Sequence, residues 1–310
     1  MSRRGALRTR LLTALSGDPE GTPAWVRELA EGDDAGYFAE DGPAWTAHAS
    51  MATLVAGIRA LLLQALHPGA MAGVHDWSSY RRDPLGRLAG TVRWVVCVTY
   101  GSTEQAQRET ARVARFHARV EGDYHDGRGE RRTYSAADPG LADWVHLAFT
   151  DAFLASQQTW GPRGSDGRIP GGPDAYVAEW ATAGRLMRVT DPPTTAAELR
   201  SRIDGYRARG ELRGDERVRE VVAFLRRPPM GGAAGVGYRL LFEAAVATLP
   251  RPYRRMLGVR RSMLPVVTAT RLVLTIAARA LASGDGRPAH AWARERLRRL
   301  QDAAPPDALQ

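Results

Sequence analysis

The sequence contains no lysine and no asparagine, and it has a single cysteine, Cys97. Without lysine a P-loop is excluded, because that motif needs an ammonium to reach the phosphates. One cysteine rules out an intramolecular disulfide, and its apolar setting, VRWVVCVTY, reads as an inert buried thiol. HExxH, CxxC and GxSxG are absent, as is any Glu-x-x-His pair, so zinc-peptidase, nucleophile-elbow and carboxylate-bridged di-iron chemistry have no ligands or nucleophile to work with. The glycines of GGAAGVGYRLL (231–241) do not follow a strand or match GxGxxG, and they read as close helix packing rather than a dinucleotide site.

Long hydrophobic runs are also scarce. The N-terminal run LLTAL is too short for a secretory core. The longest apolar stretch, LPVVTATRLVLTIAARALA, carries Arg271 and Arg279 and reads as a buried helix rather than a span. The expectation is a soluble, cytoplasmic protein without a transmembrane segment. All 43 basic side chains are arginine, giving a net charge of +9, a pattern expected of a GC-rich genome. The arginines are spread along the chain in short clusters such as Arg254-Arg255 and Arg260-Arg261. Nucleic-acid binders concentrate charge on one face or tail, so such a partner is not expected. Attraction to anionic membranes or acidic partners stays open.

What the chain does have is helical periodicity. The apolar spacing predicts helices over 45–66, 84–100, 103–121, 138–160, 172–188, 195–209, 215–227, 233–249, 263–283 and 288–303. Ser102, Asp138-Pro139 and Thr194 or Thr195 stand where N-caps belong. Gly122, Gly161 and Gly210 stand where helices end. A small hairpin is expected within 124–135, around a DG turn, and a Gly/Pro-rich loop at 161–174. The fold class is all-α: an N-terminal arm over 1–44, less ordered, and one helical domain over 45–310.

Several polar residues sit on otherwise apolar helical stretches, where an unpartnered group is costly. His117 has Val113, Ala114, Val120 and Glu121 at helical spacing, which turns its imidazole toward the core. The default for a lone histidine there is a hydrogen bond to a backbone carbonyl; the alternative is an axial metal ligand whose second nitrogen donates to an acceptor behind it. His146 repeats the pattern among Ala142, Val145, Phe149 and Phe153. Arg87 and Thr91 share a face that continues through Trp94, Val95 and Val98. That arginine can grip a carboxylate or form an ordinary salt bridge, and the threonine can bond the carbonyl one turn back. His67-Pro68 ends a helix before the small residues Gly69, Ala70, Ala72 and Gly73 and reads as structural. His75 reads as surface or pocket rim. His48, His125 and His290 have no supporting context.

Taken in order, His67-Pro68, Ala72-Gly73-Val74, Asp83-Pro84, Arg87-Leu88-x-x-Thr91, Tyr100-Gly101, His117-x-x-Val120-x-Gly122, Tyr134-x-Ala136-x-Asp138-Pro139 and Trp144-Val145-His146 resemble the MpaB/rubber-oxygenase catalytic domain family, over roughly residues 45–270. The resemblance implies a globin-like helical fold holding haem b, with dioxygen or peroxide and a small hydrophobic substrate as partners, and oxidation or oxidative cleavage of a carbon–carbon double bond as the reaction. By motif position it implies His117 as proximal iron ligand, Arg87 and Thr91 beside the haem, and His146 supporting the pocket. Latex-clearing proteins carry a lysine just before that threonine; Gly90 stands here, and no acidic residue among Asp76 and its neighbours matches their distal glutamate. Polymer cleavage is therefore not implied. A haem carrier or sensor without turnover, and a haem-free helical interaction protein, are the alternative readings.

Overall fold

The computed structural model describes residues 22–77, 84–126, 128–161, 169–227, 232–262, 265–282 and 287–303, with Gly5, Thr9, Leu12, Thr13 and 16–20. The side chains of 84–88, 233 and 234 lie outside the described set. The fold is mostly helical with one small antiparallel hairpin, as the periodicity predicts. In chain order the elements are α1 (Ala24–Arg27), which runs into a 3-10 turn, α2 (Pro43–Ala49), α3 (Thr53–Gln64), α4 (Pro68–Trp77), α5 (Pro84–Tyr100) and α6 (Thr103–His117). The hairpin β1 (Glu121–His125) and β2 (Arg131–Ser135) follows. After it come α7 (Pro139–Trp160), α8 (Gly172–Leu186), α9 (Ala196–Ala208), α10 (Glu216–Arg226), α11 (Gly232–Thr248), α12 (Arg251–Met256), α13 (Val266–Ala282) and α14 (Ala289–Ala303).

The caps act as their chemistry requires. Ser102 Oγ accepts from the Gln105 amide at 3.3 Å and Asp138 Oδ1 from the Gly140 amide at 2.6 Å. Thr195, not Thr194, forms a reciprocal capping box with Glu198.

Four local expectations are corrected. Residues 45–66 are not one helix: α2 and α3 meet at 98°. The break is at Ser50, whose backbone is extended and whose hydroxyl accepts from the Ala52 amide at 3.1 Å, replacing a helical bond. The helix ahead of His67-Pro68 does end there, at Gln64, but residues 68–77, not expected to be helical, form α4 with Pro68 at its first position, where a missing N–H costs nothing. Helix α6 stops at His117, so Gly122 is not a helix terminator but a strand residue paired with Tyr134. And over 22–44 the expected arm is packed: Trp25, Val26, Leu29 and Phe38 are buried.

At the centre α3 lies along α7, with α2, α8, α9, α11 and α13 around them. Arg59, almost fully buried on α3, reaches Asp151 on α7 at 2.5 Å. A second core joins α1, Trp45, Cys97, Tyr100 and α14. It is closed by Arg296, fully buried, whose guanidinium donates to the carbonyls of Leu29 and Tyr100 at 2.9 Å and of Ala35 at 3.3 Å. The hairpin sits on α4 through Ala72, Val120 and Tyr134. Among the described residues no single helix is long and apolar enough to cross a membrane.

Candidate active site

Helices α5 and α6 form an antiparallel hairpin whose register is fixed by three cross-links. Trp94 Nε1 donates to Thr110 Oγ1 at 3.2 Å, Arg93 donates to the buried carboxylate of Glu109, and Arg112, also bonded to Glu109 at 2.7 Å, donates to the Gly90 carbonyl at 3.3 Å. Continuing that register toward the open end brings the backbone of Arg87 level with Phe116 and His117. The Arg87 side chain itself lies outside the described residues.

His117 is the last residue of α6 and is half-buried. It is less enclosed than its spacing predicts. Val120 and Glu121 lie beyond the helix end, so they are not its face-mates, and Val120 is instead buried under the hairpin strands. Phe116 beside it is 48% exposed. Thr91 is exposed on α5. A Cβ built on Gly90 would meet nothing within 4 Å, so the surface next to Thr91 is open.

His146, by contrast, is buried as expected. Its ring lies against Gly184 of α8, where an added Cβ would stand 2.9–3.1 Å from three imidazole atoms. Only glycine leaves room for this ring. Burial, reinforced by the positive charge of Arg202, lowers its pKa to about 4, so the imidazole is neutral near pH 7. Its Nε2 has no hydrogen-bond partner among the described residues.

What joins these helices is an aromatic cluster. Trp94 on α5 contacts Trp180 on α8 with ring centroids 6.2 Å apart. Trp180 stacks on Phe149 of α7 at 5.6 Å, and Phe149 on Phe153 at 4.0 Å. Trp94 is three residues from Thr91, Phe149 three from His146, and Trp180 four from Gly184. Thr91, His146 and Gly184 therefore stand one helical turn from the same apolar floor. Val145, 38% exposed on α7, adds an outward apolar side chain.

The floor holds a residue the spacing alone passes over. His48 is buried among Phe149, Phe153, Tyr176 and Trp180, 4.4–6.2 Å between centroids. Its Nδ1 lies 2.8 Å from Thr99 Oγ1 and its Nε2 3.1 Å from the Tyr176 hydroxyl. Tyr176 is fully buried, and its proton needs an acceptor. The tautomer that satisfies all three groups has Tyr176 donating to Nε2 and Nδ1–H donating to Thr99. Burial drives the His48 pKa down to about 3. The only cue in the sequence is the i,i+4 spacing of Phe149 with Phe153 and of Tyr176 with Trp180.

The other histidines have ordinary settings. His67 is packed among Tyr124, Trp144 and Tyr206, as a structural residue would be. His75 pairs with Asp76 at 3.0 Å near the surface. Two described cavities lie elsewhere. One of about 400 Å³ is at the start of α13, lined by Ala247, Arg261 and Val266 among others, and one of about 310 Å³ lies by the hairpin, lined by Tyr124, His125 and Arg213 among others.

A half-buried imidazole at a helix end beside the exposed Phe116, with the buried, neutral His146 and the Trp94–Trp180–Phe149 cluster on the other helices, is a donor set compatible with a haem. Such a group needs one axial nitrogen and an apolar wall. Among the described residues no cluster of three or more metal-ligating side chains occurs, and an imidazole-ligated porphyrin needs none.

The family profile described as the catalytic domain of ER-bound oxygenase mpaB/B′ and rubber oxygenase matches residues 45–283. The chain belongs to the MpaB/rubber-oxygenase catalytic-domain family. This is a family of oxygenases, and the match takes in α3 through α13 entire, including His117, His146 and the aromatic cluster. No curated protein and no solved structure matches the chain.

Proposed function

We propose that the domain is a haem b-dependent oxygenase acting on a small hydrophobic molecule with dioxygen or peroxide. The observation that carries this reading is His117, half-buried at the open end of the α5–α6 hairpin, on a chain whose family is one of oxygenases. In it, His117 binds the iron through one nitrogen. The family motif assigns Arg87, whose backbone is level with His117 on the hairpin, to the haem edge, a role that suits a guanidinium because it pairs with carboxylates. Thr91 presents a hydroxyl on the same face. His146, held neutral by burial, backs the pocket from α7 and keeps Nε2 free of charge at the pH where the enzyme works. The half-buried Trp94 and Phe149, backed by the buried Trp180, offer an apolar surface to the substrate. The bound haem supplies the redox chemistry.

Gly90 in place of a lysine, and the lack of a matching distal glutamate, favour a small substrate over a polymer. The test is the absorption spectrum of haem-supplied protein with and without dithionite. A Soret band that is lost in His117→Ala but kept in His75→Ala is expected. A colourless, folded wild type, or an unchanged spectrum in His117→Ala, overturns the assignment. Consumption of a hydrophobic alkene by the coloured protein separates an oxygenase from a carrier that only binds.

A further inference from the structure

Residues 244–284 contain seven arginines (251, 254, 255, 260, 261, 271 and 279) and not one aspartate or glutamate. The charge of the chain is therefore less evenly spread than its short clusters suggest. This stretch forms the end of α11, all of α12 and all of α13.

Helix α13 is not the buried helix its composition predicts. One face, carrying Val266, Thr270, Leu274, Ala277 and Ala280, is buried in the core. The opposite face carries Thr268, Leu272, Thr275, Ile276 and Arg279, all exposed, with Leu272 at 62% and Ile276 at 47%. Helix α11 lies alongside, for a Cβ on its Gly237 would touch Val273 at 3.7 Å. On the helical lattice, Val236 and Leu240 flank Gly237 on the side away from the core, and Leu272 and Ile276 flank Val273 in the same sense. The two pairs thus border one outward seam at one height, with Val236 52% exposed. Around it stand exposed Arg239 and Arg279, and ahead of α13 exposed Arg260 and Arg261. None of these four forms an ion pair among the described residues.

A contiguous aliphatic patch bordered by arginines, with the neighbouring Glu243 of α11 already held by Arg226 at 3.5 Å, calls for an occupant. A second copy of the chain would set unpaired arginines against one another, with Glu243 already engaged. A nucleic acid would use the arginines but leave the aliphatic side chains unmatched. A bilayer with anionic headgroups takes both. The aliphatic groups enter the headgroup–acyl boundary, while the guanidinium groups stay at the phosphates.

We propose that the α11–α13 face docks on an anionic lipid surface, without spanning it. The experiment is co-sedimentation of the full chain with vesicles of phosphatidylcholine alone or mixed with phosphatidylglycerol, and it needs no haem. Binding to the mixed vesicles, weakened by salt, is expected. The charge reversal Arg260→Glu with Arg261→Glu should weaken it at least tenfold, and Leu272→Asp with Ile276→Asp by a similar factor, as roughly 1 kcal/mol per surface arginine implies. Circular dichroism melts matching the wild type show that the variants fold. Failure to bind the mixed vesicles, or equal binding by wild type and both variants, overturns the proposal. So does a dimer in solution that Leu272→Asp dissolves, or displacement of the protein from vesicles by an oligonucleotide that binds the leucine–isoleucine variant as well as wild type but not the arginine variant.

Discussion

His146 and His48 are held neutral by burial, and that makes the protein sensitive to mild acid. Their pKa values fall from 6.5 to about 4 and about 3 in the folded state. Between pH 6.5 and those values the unfolded chain binds protons that the folded chain refuses. Stability is therefore full above about pH 6.5 and drains away as pH falls through the window. Carboxylates contribute to acid unfolding at lower pH, so the interval from 6.5 to 5 reports mainly on the histidines. The melting temperature should decline across that interval, and His146→Gln, which cannot titrate, should flatten the decline. An unchanged slope in His146→Gln would contradict this account. The two residues also differ in how they can be read. His146 stands on a visible apolar stripe, so its burial is legible in the sequence. His48 depends on Thr99 and on Tyr176, 128 residues away. No local window contains those partners, so its hydrogen bonds and its aromatic cage are legible only in three dimensions.

The existence of the longer helices follows largely from periodicity, and the α5–α6 hairpin shows it: α5 lies where the apolar spacing puts it and α6 starts there, though it ends four residues early. What spacing does not carry is competition at single residues. The Ser50 hydroxyl outbids a backbone bond and turns one expected helix into two, and Pro68 opens a helix over 68–77 where the spacing announces none. The same limit applies to His117: its spacing pairs it with Val120 and Glu121 on a helix that in fact stops at His117. At this scale Glu109 is the critical side chain. It is buried, accepts from both Arg93 and Arg112, and through Arg112 is tied to the Gly90 carbonyl. Glu109→Ala removes the shared acceptor, with an expected cost of about 1–3 kcal/mol. Urea unfolding would measure it. Because the hairpin carries Thr91 and His117, haem retention should fall in parallel, and a destabilised variant that keeps full retention would separate the hairpin from the site.

The molecule as a whole is closed by Arg296. Its guanidinium satisfies carbonyls of α1's turn, of the following loop and of Tyr100 at the end of α5. Arg296→Met keeps the apolar stem and strands these acceptors. An expected loss on the order of 3 kcal/mol should appear in the urea midpoint, together with earlier proteolytic release of residues 22–42. No pattern in the sequence announces this tie, since an arginine in AWARERLRRL looks like any solvated helix residue. Its partner Leu29 is 267 positions earlier in the chain. That separation sets an order of manufacture. During synthesis the segment around α1 is made long before the helix that seats it, so the core of Trp25, Leu29 and Trp45 is completed only once α14 has been translated.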